Sequence, residues 1–430
     1  MRVWLVAVGE PIPVGEAVYD NLHRAGQFAH YLAEHGHDVT WWTSTFDHFR
    51  KKHVFDQDTE LQPTEHLRIK LLHGSGYRSN ISYSRIKDQR IVSAKFARQA
   101  VEETHRPDVI VASLPVIELC EESVKYGRRR GVPVVLDMRD MWPDICVDMA
   151  PAPARPIAKL LLSPMFAQAR RACAGATAII GITDAFVDWG LRRAGRPKAD
   201  LDRSFPFAKS SSPLDPDQIR AAEQFWDGLG ITADSDEFVM CFFGAIGRVF
   251  DLESPIEAAR ILESKGRGPR LVICGTGDKL RDYKSLAEGV EGIMFPGWMN
   301  AAQIRVLMKR SSVGLDPMPD RYDFVATINN KALEYMSAGL PVVSCPKQGV
   351  LYELLKTENC GVGYANGDSS ELAAVLSKLM DDKGWLSEMA ANSARLFENE
   401  FTAENVHARM MAYLSEVSTS EDRLKEVVNG

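Results

Sequence analysis

A chain of 430 residues with 45% hydrophobic content is long enough for two or three domains at roughly 150 residues each. Its net charge of −7, with both signs interspersed, excludes the dominant basic surface that wholesale nucleic-acid binding requires. The 7 cysteines are scattered, with no CxxC and no Cys/His cluster at metal-ligand spacing, so no metal site is expected and a reducing, cytoplasmic compartment fits best.

The chain opens on MRVWLVAVGEPIPVGE, whose short apolar run lacks a basic leader and a small-residue cleavage site and reads as a first strand. No run of about twenty apolar residues occurs, so no membrane span is expected. Short β-branched runs then alternate with longer helical patterns, the grammar of parallel sheets covered by helices on both faces. In the first half the strands are expected at VWLVAV (3–8), DVTWWTS (38–44), RIKLLHG (68–74), DVIVAS (108–113), PVVLDM (133–138) and AIIGIT (178–183). Residues 21–35 form the first crossover helix, with Leu22, Phe28, Ala29 and Leu32 on one face.

Ligands of open α/β sheets bind outside the carboxyl ends of the strands, so site residues are expected just after strands. The loop GEPIPVGEA (9–17) after the first strand carries Gly9 and Gly15 before a helix start, where backbone can approach an anion. A plain structural turn explains them equally well, and Glu10 argues against a phosphate in the loop itself. The fifth strand ends in LDMRDMWPD, which packs Asp137, Arg139 and Asp140 beside Trp142. Charges clustered there are costly unless they pair or meet a ligand, and the indole offers an apolar wall of the kind that holds sugar rings. The competing reading is an Arg–Asp pair that orders the loop; Asp140 is the functional candidate. Further on, residues 153–175 mix Arg155, Lys159, Arg170 and Arg171 with Leu160 to Leu162, Met165 and Phe166. Such a basic amphipathic stretch suits either an anionic bilayer or a crossover helix with a solvated edge.

After the polar KSSSPLDPD (209–217) the strand–helix grammar restarts, with strands expected at FVMCFFGAI (238–246), LVICGTG (271–277), GIMFPG (292–297), SVGLDP (312–317), PVVSC (341–345) and GVGYA (361–365). The first of these ends in Gly244, Gly247 and Arg248; a guanidinium flanked by glycines matches phosphate oxygens. CGTGD adds Gly275 and Gly277, and FPGWMN adds Trp298. TINNKALEYMSAGLP then places Asn329, Asn330 and Lys331 at a helix start, where the peptide dipoles favour an anion and a lysine is the wrong charge. Two readings stand. Lys331 pairs with Glu334 three residues on, for about 0.2–0.5 kcal/mol, or a bound diphosphate supplies the anion while Glu334 accepts hydroxyls beside it.

Taken in order and spacing, RAGQFAHYLAEHGHDVT, LDMRDMWPD, FFGAIGRVFDLESPIEAARIL, VICGTGD, GIMFPGW and NNKALEYMSAGLPVV resemble the retaining GT-B glycosyltransferases of family 4, over nearly the whole chain. The resemblance implies two Rossmann-like, doubly wound α/β domains facing across a cleft. Residues 1–205 would form the acceptor domain, with the helix at about 404–430 packing back on it, and 206–403 the nucleotide-sugar domain. It implies sugar transfer from a nucleotide-diphosphate sugar, a UDP-sugar in the first instance, to an acceptor hydroxyl on a glycan or lipid-linked intermediate of surface-polysaccharide assembly, with retention and without a cofactor or metal. A cytoplasmic enzyme touching the inner face of the membrane peripherally is compatible with that role.

Residue by residue, the resemblance assigns Glu334 to the ribose hydroxyls, Arg248 to the diphosphate and the GIMFPGW segment, with Trp298, to the nucleobase. Asp140, Arg248 and Lys331 are the catalytic candidates, and Gly15, Gly247, Gly275, Gly277, Asn329 and Asn330 complete the donor-binding set. Ala326 stands where many members carry a second glutamate, and Glu253 where many carry a lysine. A UDP-sugar 2-epimerase-like enzyme and a non-catalytic polysaccharide-assembly scaffold remain the alternatives. An NAD-binding protein is weaker, because neither half carries GxGxxG with an acidic residue about twenty positions on.

Overall fold

A computed structural model describes residues 1–13, 22–209 and 214–429, with side chains to residue 419. The chain divides into two compact units, Met1–Ala208 with Val406–Gly430, and Lys209–Asn405.

Unit 1 is built on an 8-stranded sheet. Its strands are β1 (Arg2–Val6), β2 (Asp38–Ser44), β5 (Thr59–Thr64), β6 (Leu67–Leu72), β7 (Val109–Ser113), β8 (Val134–Met138), β9 (Ala178–Gly181) and β10 (Arg203–Ser204), in the order β10-β9-β8-β7-β1-β2-β6-β5. A separate antiparallel hairpin joins β3 (Phe46–Asp47) to β4 (Lys52–His53). Strands β7, β8 and β9 are buried along their whole length, as continuous β-branched runs are when helices cover both faces. On one face the helix Arg24–Glu34 inserts Phe28, Ala29 and Leu32, and the long helix Ala403–Asn429 adds Val406, Met410, Tyr413, Leu414 and Val417 to the same core.

The sheet is parallel except for β5, which runs antiparallel to β6 at the edge. This strand and the hairpin escape the sequence reading for a physical reason. TELQPT is polar, carries a proline of the kind tolerated on edges, and is covered only on alternate residues. The hairpin strands are two residues each, too short to show a period.

Unit 2 carries a 6-stranded sheet in the order β13-β12-β11-β14-β15-β16. These are β11 (Val239–Phe243), β12 (Arg270–Cys274), β13 (Ile293–Gly297), β14 (Val313–Pro317), β15 (Val342–Cys345) and β16 (Gly361–Gly363). Each neighbouring pair of its strands is parallel. Of the polar stretch 209–217, residues 210–213 lie outside the described residues; the helix Pro216–Gly228 begins within its end, and its N-cap Asp215 accepts from the Asp217 amide at 2.9 Å. In each sheet the strand order reverses at one place, between β1 and β7 in unit 1 and between β11 and β14 in unit 2. Those are the places where an open sheet leaves a crevice at its carboxyl edge.

Candidate functional site

In unit 2 the reversal brings the ends of β11 and β14 together beside the helix Asn330–Ser337. Tyr335 fixes that helix: it is fully buried and its hydroxyl donates to the carbonyls of Leu315 at 3.0 Å and Cys241 at 3.3 Å, one on each strand. Gly314 makes room for the ring, since a Cβ there would stand 2.3 Å from it. The buried face is thus Ala332, Leu333, Tyr335 and Met336, and Ser337 is only half covered. Asn329 is the N-cap; its side-chain oxygen accepts from the Ala332 amide at 3.1 Å.

Lys331 does not pair with Glu334. Its ammonium lies 3.8 Å from the centre of the Phe250 ring and 5.5 Å from that of Phe242, with no ion-pair partner among the described residues. Gly244, at φ 147°, gives way to it, for a Cβ would come within 2.9 Å of the lysine Cε. Glu334 instead accepts from Lys209 at 3.0 Å. The two charges that the sequence sets side by side are therefore turned to different neighbours.

Beneath them lies a carboxylate outside the predicted set. Asp316, at the end of β14, is fully buried and accepts from the Asn329 side-chain amide at 2.7 Å, while its other oxygen has no hydrogen-bond partner. Burial pushes its pKa up to about 6, against the Asn329 hydrogen bond and the Lys331 charge, which pull it down. Burial likewise lowers the Lys331 pKa, opposed by Asp316 and Glu334. The sequence signal is an aspartate closing a hydrophobic strand, where an acid needs a partner; its partner, Asn329, is expected in the donor-binding set and not against this acid.

The other predicted residues distribute around this point. Arg248 is exposed on the loop after β11 and makes no ion pair among the described residues. Gly275 sits against the Gly244 carbonyl, where a Cβ would stand at 1.9 Å, and Gly277 packs in the same way on the Ile246 carbonyl. These two glycines let the loops after β11 and β12 meet backbone to backbone. Gly247 borders the Asp278 carboxylate, Asn330 is exposed at the helix start, and Trp298 is 71% exposed beyond β13. Ala326 is buried, and Glu253 begins the helix Glu253–Ser264, where an acid suits the dipole.

Unit 1 answers its own helix start from within. Glu10, 5% exposed, accepts from the amides of Ala25 and Gly26 at the start of the helix Arg24–Glu34 and pairs with Arg139. Burial raises its pKa, but Arg139 and those amides more than offset this and hold it below the usual carboxylate range. Arg139 therefore reaches Glu10, and Asp137 pairs mainly with Arg24 at 3.0 Å rather than with Arg139 at 3.8 Å. The expected Arg–Asp pairing within LDMRDMWPD is present as the 3.8 Å Arg139–Asp137 contact, one link of this wider network. Trp142 is not an open wall: it is 9% exposed, and the Arg85 guanidinium covers its ring at 4.6 Å. Asp140 stands near Cys146, whose thiol pKa is raised by burial and by that aspartate. Gly15 lies outside the described residues.

Residues 23–203 match the family described as Glycosyl transferase 4-like domain, and residues 237–382 the family described as Glycosyl transferases group 1. A curated relative, the alpha-D-kanosaminyltransferase of Streptomyces kanamyceticus, is 26% identical over 230 residues, 53% of this chain. That alignment spans 57% of the relative's own length. Among solved structures, HepE of Anabaena in complex with UDP superposes with a TM-score of 0.64 at 16% identity, over 97% of this chain and 100% of that one. Sucrose-phosphate synthase of Thermosynechococcus elongatus gives 0.66 at 16% identity, over 97% and 99%. With two parallel-sheet α/β units, these neighbours make the fold GT-B.

Proposed function

On the premise that the chain joins a glycosyl transferase 4-like domain to a glycosyl transferases group 1 domain in the GT-B fold, we propose that it is a retaining glycosyltransferase. Its donor is a nucleotide-diphosphate sugar, a UDP-sugar in the first instance, and unit 2 holds that donor. The carrying observation is Lys331, a desolvated ammonium without an ion-pair partner among the described residues, at a helix start with no acidic residue in its first turn. A diphosphate satisfies both the lysine and the dipole.

In this reading Lys331, Arg248 and the free amides of the helix Asn330–Ser337 surround the diphosphate. Glu334 accepts the ribose hydroxyls in exchange for the Lys209 ammonium, and Trp298 lies along the nucleobase. Departure of the sugar makes the diphosphate more negative and leaves an oxocarbenium-like carbon. Cations fixed around the leaving group therefore stabilise the transition state more than the ground state. The family resemblance adds that the acceptor attacks the face the diphosphate leaves, with a leaving phosphate oxygen taking the hydroxyl proton. Asp140 contacts the acceptor or the developing sugar cation in unit 1. The HepE complex with UDP supports the choice of nucleotide. A panel of UDP-, GDP- and dTDP-sugars, read by calorimetric binding and slow hydrolysis, tests the reading, and a response to none of them rejects it.

A lipid-linked acceptor would bring the enzyme to a membrane surface, and one element favours that contact. The short helix Arg155–Leu161 buries none of its residues and leaves Ile157, Leu160 and Leu161 between 63% and 74% exposed beside Arg155 and Lys159. No helix among the described residues is long and apolar enough to cross a membrane. Co-sedimentation with anionic vesicles should drop in a Leu160→Glu/Leu161→Glu variant, and equal binding removes the membrane from the proposal.

A further inference from the structure

The carboxyl edge of unit 1 carries two further cations without counter-ions among the described residues. Arg85 lies in the first turn of the helix Tyr83–Glu102, a turn without an acidic residue, so it too is a cation at a positive helix end. It is 8% exposed, and its Nε has no hydrogen-bond partner. Its guanidinium stacks between Trp142 at 4.6 Å and Tyr77 at 5.7 Å, and one terminal nitrogen donates to the Asn80 carbonyl at 2.8 Å. Lys51 converges on the same two residues: its ammonium donates to the Asn80 side-chain oxygen and lies 5.0 Å from the centre of the Tyr77 ring.

Lys51 reaches this position through a left-handed backbone, φ 56°, at the turn of the β3–β4 hairpin. That conformation is sparsely populated for a side-chain-bearing residue and is a recurrent mark of functional loops. Nearby carboxylates are engaged elsewhere. Asp47 accepts from the amides of Phe49 and Arg50, and Asp88 from the amide of Gly76. Neither cation has an ion-pair partner among the described residues. His48, hydrogen-bonded to the Tyr77 hydroxyl at 2.6 Å, registers the crowding: burial, then Lys51 and Arg85, lower its pKa to about 4, against Asp47.

A guanidinium buried to this degree is costly without an anion, and a guanidinium with an ammonium beside it matches phosphate oxygens. We propose that Arg85 and Lys51 bind a phosphate-type anion carried by the acceptor, so that the acceptor is a sugar phosphate or a sugar on a diphosphate carrier. This rests on the reading of unit 1 as the acceptor-binding unit. The position suits it: β2, β6 and β8 all end at this edge, and Arg85 and Asp140 both act on the Cys146 thiol. Phe49, Ile81 and Tyr83 stand exposed at the rim, from 49% to 76%, as an apolar carrier would require.

The test is calorimetric titration of the full chain with inorganic pyrophosphate and with farnesyl diphosphate, in a Lys331→Ala background that removes the anion site of unit 2. Asparagine tolerates the left-handed conformation, so Lys51→Asn removes the charge without straining the hairpin; Arg85→Lys keeps charge but loses the fork. Both variants should weaken pyrophosphate binding about tenfold, with thermal midpoints unchanged. Equal affinity for the two ligands assigns the anion to soluble sugar phosphates, and tighter farnesyl diphosphate binding assigns it to a lipid carrier. Unchanged pyrophosphate binding in both variants, or no binding to the background protein, overturns the proposal. UDP titrated into the otherwise wild-type Lys51→Asn protein should bind as to the parent; if UDP binds neither, the donor reading fails while the pyrophosphate result still decides this one.

Discussion

Two helix starts in this chain face the same electrostatic problem and solve it differently. At Arg24–Glu34 the buried first-turn amides are met by Glu10, itself neutralised by Arg139, and the site is closed within the unit. At Asn330–Ser337 the cap is the neutral Asn329, and the next charge is Lys331, set against two phenylalanine rings instead of a carboxylate. The second arrangement has room for an anion, as the proposal requires, and the first would exclude one. The difference is the one expected between a helix start that serves stability and, as proposed for Asn330–Ser337, one that serves a ligand; the loop after β1 carries a glutamate where a phosphate cradle needs open amides.

The comparison breaks most visibly at Glu10. Glu10→Ala leaves Arg139 buried with its main partner gone and uncaps a helix, and should cost about 3–5 kcal/mol, read as a lower thermal midpoint, while the folded protein binds UDP as before. Lys331→Ala should do the reverse. UDP affinity should fall by about 1.5–3 kcal/mol, roughly ten- to a hundredfold, with a thermal midpoint equal to or above the parent's, because a desolvated ammonium has been removed.

Asp316→Asn sharpens the contrast through pH. The native pKa, near 6, lies above the ordinary 3.8, so between these values the folded protein binds the extra proton. Its stability contribution is thus fully present below the unfolded pKa and lost as pH rises through about 6. The asparagine variant should be more stable than the parent by about 1–3 kcal/mol at pH 7, a gap that closes toward pH 4 in parallel thermal melts. The smallest effect is expected at Glu334→Gln, about 1 kcal/mol or some fivefold in donor KM, since the half-exposed carboxylate already shares its charge with Lys209.

Much of the fold was legible because the β-branched runs are buried on both faces and bounded by polar turns. The twelve parallel strands expected from those runs are all present, within a few residues at their ends. What stayed hidden was the half-covered edge strand TELQPT, the two-residue strand β10 and the short hairpin carrying Lys51, where exposure and brevity, not composition, decide the structure. In the candidate site Lys331 was legible as a charge in the wrong place. Its partners were not, because helical spacing puts Lys331 and Glu334 on one face but says nothing of Lys209, which lies 125 residues from Glu334. Trp142 failed as a sugar wall for the same reason: no spacing rule places Arg85 over its ring.

The central claim is that unit 2 holds a nucleoside diphosphate at the start of Asn330–Ser337. Calorimetric titration of UDP into the parent, Lys331→Ala and Glu10→Ala proteins tests it most directly. The account predicts parent-like affinity in folded Glu10→Ala and at least tenfold weaker binding in Lys331→Ala at an undiminished thermal midpoint. Parent-like UDP binding by Lys331→Ala would contradict it.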